Sequence, residues 1–209
     1  MAKRKVFTYT NRKCDNYEIE FYWHPGISSS QRKMSVKELH SEILVVNPNA
    51  KILEVSSVSE DALGVALSAF NLITEFGVSV ESIYQGSKVF TNGGPYQDLY
   101  SQPSGYAKKD ERLTRSGQLI GFSLLEIDIP KKSVRSFYNY LYVKALLQNQ
   151  NLVAQLAEYN TFTDIMFNHE KGKSCQAEAV TFAKALIDHN LVEQAMSNIE
   201  VFDKIVYGD

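Results

Sequence analysis

Val6-Phe-Thr-Tyr-Thr10 and Tyr17-Glu-Ile-Glu-Phe-Tyr-Trp23 are two runs of strand-forming residues separated by Asn11 to Asn16. In the second run Tyr17, Ile19, Phe21 and Trp23 point one way, and Glu18 and Glu20 the other, as in a half-buried strand. The pair reads as a hairpin, ended by His24-Pro25-Gly26. Working outward, Ser35 is placed to cap a helix from about Val36 to Val46, with Glu38 at the capping-box position; Pro48 and Asn49 end it. Ile52 to Val58 is a short strand. Leu119 to Ile129 alternates as a strand and Pro130 stops it. The last third reads as helical over Val134 to Gln148, Leu152 to Tyr159, Cys175 to His189 (capped by Ser174) and Leu191 to Val206, with a loop over Thr161 to His169. Few strands among more numerous helices, without regular βαβ alternation, argue for an α+β fold. The expectation is a small mixed or antiparallel sheet with an N-terminal hairpin, packed against a largely helical C-terminal half.

The chain has 209 residues, 44% of them hydrophobic and 22% charged, enough to bury a sizeable core in one domain. A formal net charge of −2 carries no global basic excess, so any nucleic-acid contact must be a local patch. Cys14 and Cys175 are far apart and read as reduced thiols rather than a disulfide framework. No apolar run reaches the length of a membrane span, and Met1-Ala-Lys-Arg-Lys precedes no apolar segment of a secretory signal. A soluble, cytoplasmic chain with no membrane partner is expected.

Val80-Glu-Ser-Ile-Tyr-Gln-Gly-Ser-Lys88 follows Ser79, which can cap a helix with Glu81 in its first turn. On a continuous helix Glu81, Gln85 and Lys88 fall at i, i+4 and i+7, on one face within about 60°. Ile83 and Phe90 lie opposite, and Gly86 allows close approach of a neighbour. Periodicity alone sends such a polar stripe to solvent. Asn92-Gly93-Gly94-Pro95 breaks the chain, either as a simple turn or as a source of backbone donors for a phosphate. Beyond it, Tyr96 to Gln118 is polar and carries Lys108, Lys109, Arg112 and Arg115. This is a local basic patch for a diphosphate or DNA backbone, or a solvated face interrupted by Asp110 and Glu111. The four histidines are scattered and no His or Cys pair has zinc-ligand spacing, so neither a metal nor a cofactor is expected.

Three ordered elements resemble the NADAR family, including its YbiA-like members. Leu67-Ser68-Ala69-Phe70-Asn71 is similar to the family's Phe-Ser-Asn-Phe-like turn. Glu81-Ser-Ile-Tyr84-Gln85-Gly-Ser-Lys88 is similar to its Glu-x-x-Phe/Tyr-Gln-x-x-Lys helix. Phe162-Thr163-Asp164, followed by Gly172-Lys-Ser-Cys-Gln-Ala177, is similar to the aromatic-x-Asp loop before a closing helix. The resemblance is closest to NADAR antitoxins associated with DarT-type DNA ADP-ribosyltransferase toxins. That likeness is carried by Phe21-Tyr-Trp23-His-Pro25-Gly26, Ser30-Gln31, Leu53-Glu-Val-Ser-Ser57, Gln85 to Pro95, Lys109-Asp-Glu-Arg112-Leu113 and Phe137-Tyr138. The chain departs from YbiA-like members at Phe162, where they usually have Trp, and at Ala69, where they have Asn. Cys175 and Gln176 also replace more polar or basic neighbours.

The resemblance implies a single NADAR domain over 1–209, with a hairpin-helix elaboration over 1–50 and the core over 51–209. It implies removal of ADP-ribose from modified guanine in DNA, with a DarT-type toxin as functional partner and ADP-ribosylated DNA or nucleoside as substrate. Glu81, Asp164 and Lys88 are the implied catalytic residues. Gln85, Tyr84, Phe162, Ser68, Phe70, Asn71, Trp23, Gln31, Lys109, Arg112 and Gln176 are the implied substrate contacts. N-glycosidic cleavage passes through an oxocarbenium-like state. A carboxylate stabilises that charge and deprotonates water, which suits Glu81; Asp164 suits orienting the sugar hydroxyls or the water. Lys88 is compatible with pairing to either acid, holding phosphate, protonating the departing base, or covalent attack at an opened sugar. Three other readings stay open: an N-glycosidase on a phosphorylated riboflavin-pathway metabolite, a non-catalytic ADP-ribose-binding module, and a protein that neutralises a toxin by direct contact.

Overall fold

A computed structural model describes residues 1–124, 127–130, 133–170 and 172–208. The chain opens with the hairpin of β1 (Ala2–Thr10) and β2 (Lys13–Phe21). Its turn is tighter than expected: Asn11 and Arg12 alone connect the strands, with φ of 50° and 61°. Two consecutive left-handed residues twist the connection in the sense that paired strands need.

Helix α1 (Ser29–Val46) begins one residue after Ser28, whose side chain accepts from the Gln31 amide, while the Gln31 side chain reaches back to the cap backbone. The expected cap at Ser35 is corrected. Ser35 lies buried inside the helix, where its hydroxyl donates to the Gln31 carbonyl and accepts from His24 N–H. Both serines carry an acceptor three residues on. The earlier box forms because it also satisfies the free N–H groups of the longer helix.

Strand β3 (Ile52–Glu54) is shorter than expected. It pairs in parallel with β7 (Thr161–Thr163), a strand where a loop was expected, and β7 pairs antiparallel with β1. The resulting mixed sheet has the order β2-β1-β7-β3. Alternation along β1 sends Val6 to one face and Phe7 to the other. Val6 joins Ile19, Phe21, Val36, Leu39 and Ile43 beneath α1. Phe7 joins Leu53, Phe162 and the apolar face of α8 (Gln176–Asp188) in the main core. The four-stranded sheet is thus covered by α1 on one side and α8 on the other.

A second sheet is built from β4 (Lys88–Phe90), β5 (Leu119–Leu124) and β6 (Ile127–Pro130), all antiparallel. The single strand expected over Leu119 to Ile129 is therefore two, and residues 125 and 126 of it lie outside the described residues. Between β4 and β5 the polar stretch holds a 3-10 turn (Gln97–Ser101) and short helices α4 (Ser104–Ala107) and α5 (Arg112–Arg115). Helix α6 (Val134–Gln148) has the expected bounds, with Ser133 as its cap. It is followed by α7 (Gln150–Gln155). Cys175, not Ser174, is the N-cap position of α8, and the single closing helix is two, α9 (Val192–Ala195) and α10 (Ile199–Tyr207), with Asn198 capping the second. The fold is α+β with the hairpin in a mixed sheet and a helical C-terminal half. Among the described residues no helix is long and apolar enough to cross a membrane, and both cysteines are free thiols.

Candidate active site

Two short helices remain to be placed, α2 (Ala62–Ala66) and α3 (Val80–Gly86). Ser79 caps α3 as expected, accepting from Ser82 N–H at 3.1 Å. All seven residues of α3 are buried, so its polar stripe faces inward, the reverse of what periodicity favours. Lys88 is not on that helix. Ser87 closes it by donating to the Ile83 carbonyl, and Lys88 opens β4, opposite Phe122. Gly86 admits the neighbour the sequence anticipates: a Cβ there would sit 2.6 Å from the Tyr100 ring and 2.9 Å from the Tyr96 carbonyl oxygen.

Glu81, only 4% exposed, accepts from Gln85 Nε2 at 2.8 Å and lies 3.5 Å from Lys108 Nζ. The Gln85 carbonyl accepts from Lys88 Nζ at 2.7 Å. The amide orientation follows from its partners, since only its nitrogen can donate to a carboxylate and only its oxygen can accept from an ammonium. Gln85 is therefore a spacer that keeps Glu81 and Lys88 in one site without a direct ion pair. Lys88 also sits 4.5 Å from the Tyr84 ring centroid, and burial pushes its pKa down to about 8, with the Glu81 charge opposing.

Asp164 enters from the connection between β7 and α8. It accepts from Met166 N–H at 3.1 Å and from Gln176 Nε2 at 3.0 Å. Burial raises its pKa, while these hydrogen bonds and the Lys108 charge oppose the rise. Gln176 Oε1 in turn accepts from Ala69 N–H at 2.5 Å, and the Ala69 carbonyl accepts from Glu81 N–H at 2.9 Å. The Ala69 peptide thus ties the elements that carry the two acids, and its buried side chain plays no polar part.

Glu81, Gln85, Lys88, Tyr84, Phe70, Asp164 and Gln176 all line one cleft of about 660 Å³. Seven other expected contacts are not brought to it. Phe162 is fully buried in the main core, because β7 is a central strand and aims it at α8, so it has no face free to stack on a ligand. Trp23 packs on Phe21 beneath the Arg4 guanidinium, and Gln31 serves the α1 cap. Asn71 is exposed and donates to the Val65 carbonyl. Ser68 is buried away from the cleft lining, its hydroxyl without a partner. Arg112 is held by Asp98 and Asp110 over the Tyr96 ring, and Lys109 is exposed outside the cleft. Gly93-Gly94-Pro95 forms a turn in which Phe90 N–H donates to the Gly93 carbonyl.

Lys108, Tyr138 and Glu54 were not among the expected site residues, although Lys108 belongs to the basic patch noted in the sequence. Lys108 is the C-cap of α4, and its ammonium sits 5.0 Å from the Phe70 ring. Tyr138 lines the cleft from α6, edge-on to Tyr84. Glu54 lies behind Asp164, fully buried, accepting from Thr163 Oγ1 at 2.6 Å and Ile165 N–H at 2.9 Å, one residue to either side of the acid. Burial and the nearby Asp164 raise its pKa to about 7. His40, pushed down to about 4 by burial and therefore neutral, donates from Nε2 to Thr163 Oγ1, whose own proton goes to Glu54.

The sequence model of a family described as the DarT1-associated NADAR antitoxin matches residues 2–209. No curated protein matches the chain.

Proposed function

The chain belongs to the family of DarT1-associated NADAR antitoxins, and from that premise we propose that it acts by hydrolysing the N-glycosidic bond between ADP-ribose and a guanine base of DNA. The observation that carries this reading is the Glu81–Gln85–Lys88 arrangement: a buried carboxylate and a half-buried ammonium in one cleft, held apart by an amide, with Asp164 in the same cleft. A base and an acid that collapsed onto each other would neutralise both roles. Separated, they suit the two proton transfers that hydrolysis needs.

As the bond from the ribose anomeric carbon to the base nitrogen breaks, its electron pair goes to the base and positive charge grows on the sugar. The Glu81 carboxylate stabilises that charge and takes a proton from the attacking water, whose oxygen bonds to the anomeric carbon. Lys88, a charged amine below about pH 8, gives a proton to the departing base. Proton return from Glu81 to Lys88 through solvent closes the cycle. Asp164, fixed by Met166 and Gln176, orients the ribose hydroxyls. The cleft volume suits a ligand of ADP-ribose size.

The test is incubation with a guanine-ADP-ribosylated oligonucleotide and, separately, with a phosphorylated riboflavin-pathway metabolite. Release of free ADP-ribose and recovery of unmodified guanine from the first alone is expected. Turnover of the metabolite alone, or binding of ADP-ribose with no release from any conjugate, would assign the cleft otherwise.

A further inference from the structure

A second chamber of about 590 Å³ adjoins the cleft. Leu119, Val134, Phe167, Gly172 and Lys173 line both, so the two lie side by side. Lys5, Arg135, Lys173 and His169 supply the chamber's basic groups and Glu178 its only carboxylate among the described lining residues. Glu178 is already engaged by Arg135 through two bonds of 2.6 and 2.9 Å. His169 faces Glu18 at 2.9 Å. Lys5 and Lys173 have no carboxylate partner among the described residues. Lys5 reaches the chamber from β1, and Lys173 is exposed at the rim the two chambers share.

This distribution reverses the one the sequence suggests. Along 108–115, Lys108 faces Glu81, Arg112 faces Asp98 and Asp110, and Arg115 faces Glu111, which leaves only Lys109 without a carboxylate among the described residues. The second chamber gathers two lysines with no carboxylate partner among the described residues onto one concave lining, in a chain whose net charge is −2. Ammonium groups with no carboxylate partner among the described residues, in an open chamber beside the cleft, suit a polyanion longer than the ligand in the cleft. The cleft alone has room for the ADP-ribose moiety, and the modified base remains attached to its strand until the bond breaks.

We propose that the second chamber binds the phosphodiester backbone flanking the modified base, with Lys5 and Lys173 contacting phosphates. This rests on the reading that the chain acts on ADP-ribosylated DNA. Binding of an unmodified single-stranded oligonucleotide and of free ADP-ribose is measured for wild type, for Lys5→Glu/Lys173→Glu, for the milder Lys5→Gln/Lys173→Gln and for Lys5→Gln alone, with thermal unfolding confirming the fold of each. The expected result is oligonucleotide binding by wild type that weakens about tenfold or more in the Glu pair. The salt-dependence slope should fall by about 1.4 in the Gln pair, two phosphates on a single strand, with ADP-ribose affinity unchanged in Lys5→Gln alone, since Lys5 lines only the second chamber. Loss of ADP-ribose affinity with oligonucleotide affinity retained would place the diphosphate in the chamber and overturn the proposal. So would absent wild-type oligonucleotide binding, or equal binding by all four proteins. Release of ADP-ribose from ADP-ribosylated guanosine, which has no flanking strand, is measured in parallel. Its absence in wild type sinks the hydrolase reading alone, whereas its persistence in Lys5→Gln is expected because Lys5 lines only the second chamber.

Discussion

Gln85 lets a carboxylate and an ammonium share a cleft without neutralising each other, and the pH dependence of turnover reports on that division. Lys88 is held at about 8 by burial. As the proton donor it must be charged, so kcat is expected to fall about tenfold per unit as pH rises past that value. Lys88→Met should lower kcat by about 10²–10³ and remove the alkaline limb. A rate that instead rises through pH 8 would mean that the neutral amine acts, as a nucleophile would. At this scale the sequence was partly legible. The i, i+4 relation of Glu81 and Gln85 holds because both are on α3. Lys88 reaches the same cleft for a different reason, from a strand, and its helical spacing was incidental. Phe162 carried a family position, but not its surroundings: only the pairing of β7 on both sides reveals that its ring is fully enclosed.

Short elements are where sequence and structure part. Helix α6 has a cap and four turns of apolar periodicity, and its bounds were readable. Strand β7 is three residues, two of them threonine, and is a strand only because β1 and β3 flank it. At Gly86, the last residue of helix α3, Tyr100 packs where a side chain would stand. Gly86→Ala should therefore destabilise the fold by about 1–3 kcal/mol through overpacking. Gly105, in α4 with open space around its Cβ position, makes the contrast: Gly105→Ala should be neutral or stabilising by up to about 1 kcal/mol. Chemical denaturation of both variants checks the pair, and equal destabilisation would mean that the crowding at Gly86 is not what limits it.

The whole molecule places its two acids at the meeting of layers: α3 hangs from the Ala69 peptide, and Asp164 leaves the sheet beside Glu54. That arrangement has a pH signature in stability. Glu54 is raised to about 7 in the fold, from an unbound value near 4.5. Its contribution is complete below about pH 4.5, and is lost as pH rises through about 7, because the unfolded chain releases that proton first. The effect is at most on the order of 3 kcal/mol. Thermal stability should fall between about pH 5 and pH 8, and Glu54→Gln should flatten the fall. An unchanged slope in that variant would mean that another group titrates there. None of this was visible in Leu53-Glu-Val-Ser-Ser57, since a carboxylate between apolar neighbours declares its burial only once the sheet is assembled.

The central claim is that Glu81 performs the chemistry at the anomeric carbon. Single-turnover release of ADP-ribose from a guanine-ADP-ribosylated oligonucleotide, by wild type and by Glu81→Gln, tests it most directly. The account predicts release by wild type and a loss of about 10³ in the variant, with ADP-ribose affinity and thermal stability retained. Release by Glu81→Gln at the wild-type rate would contradict it.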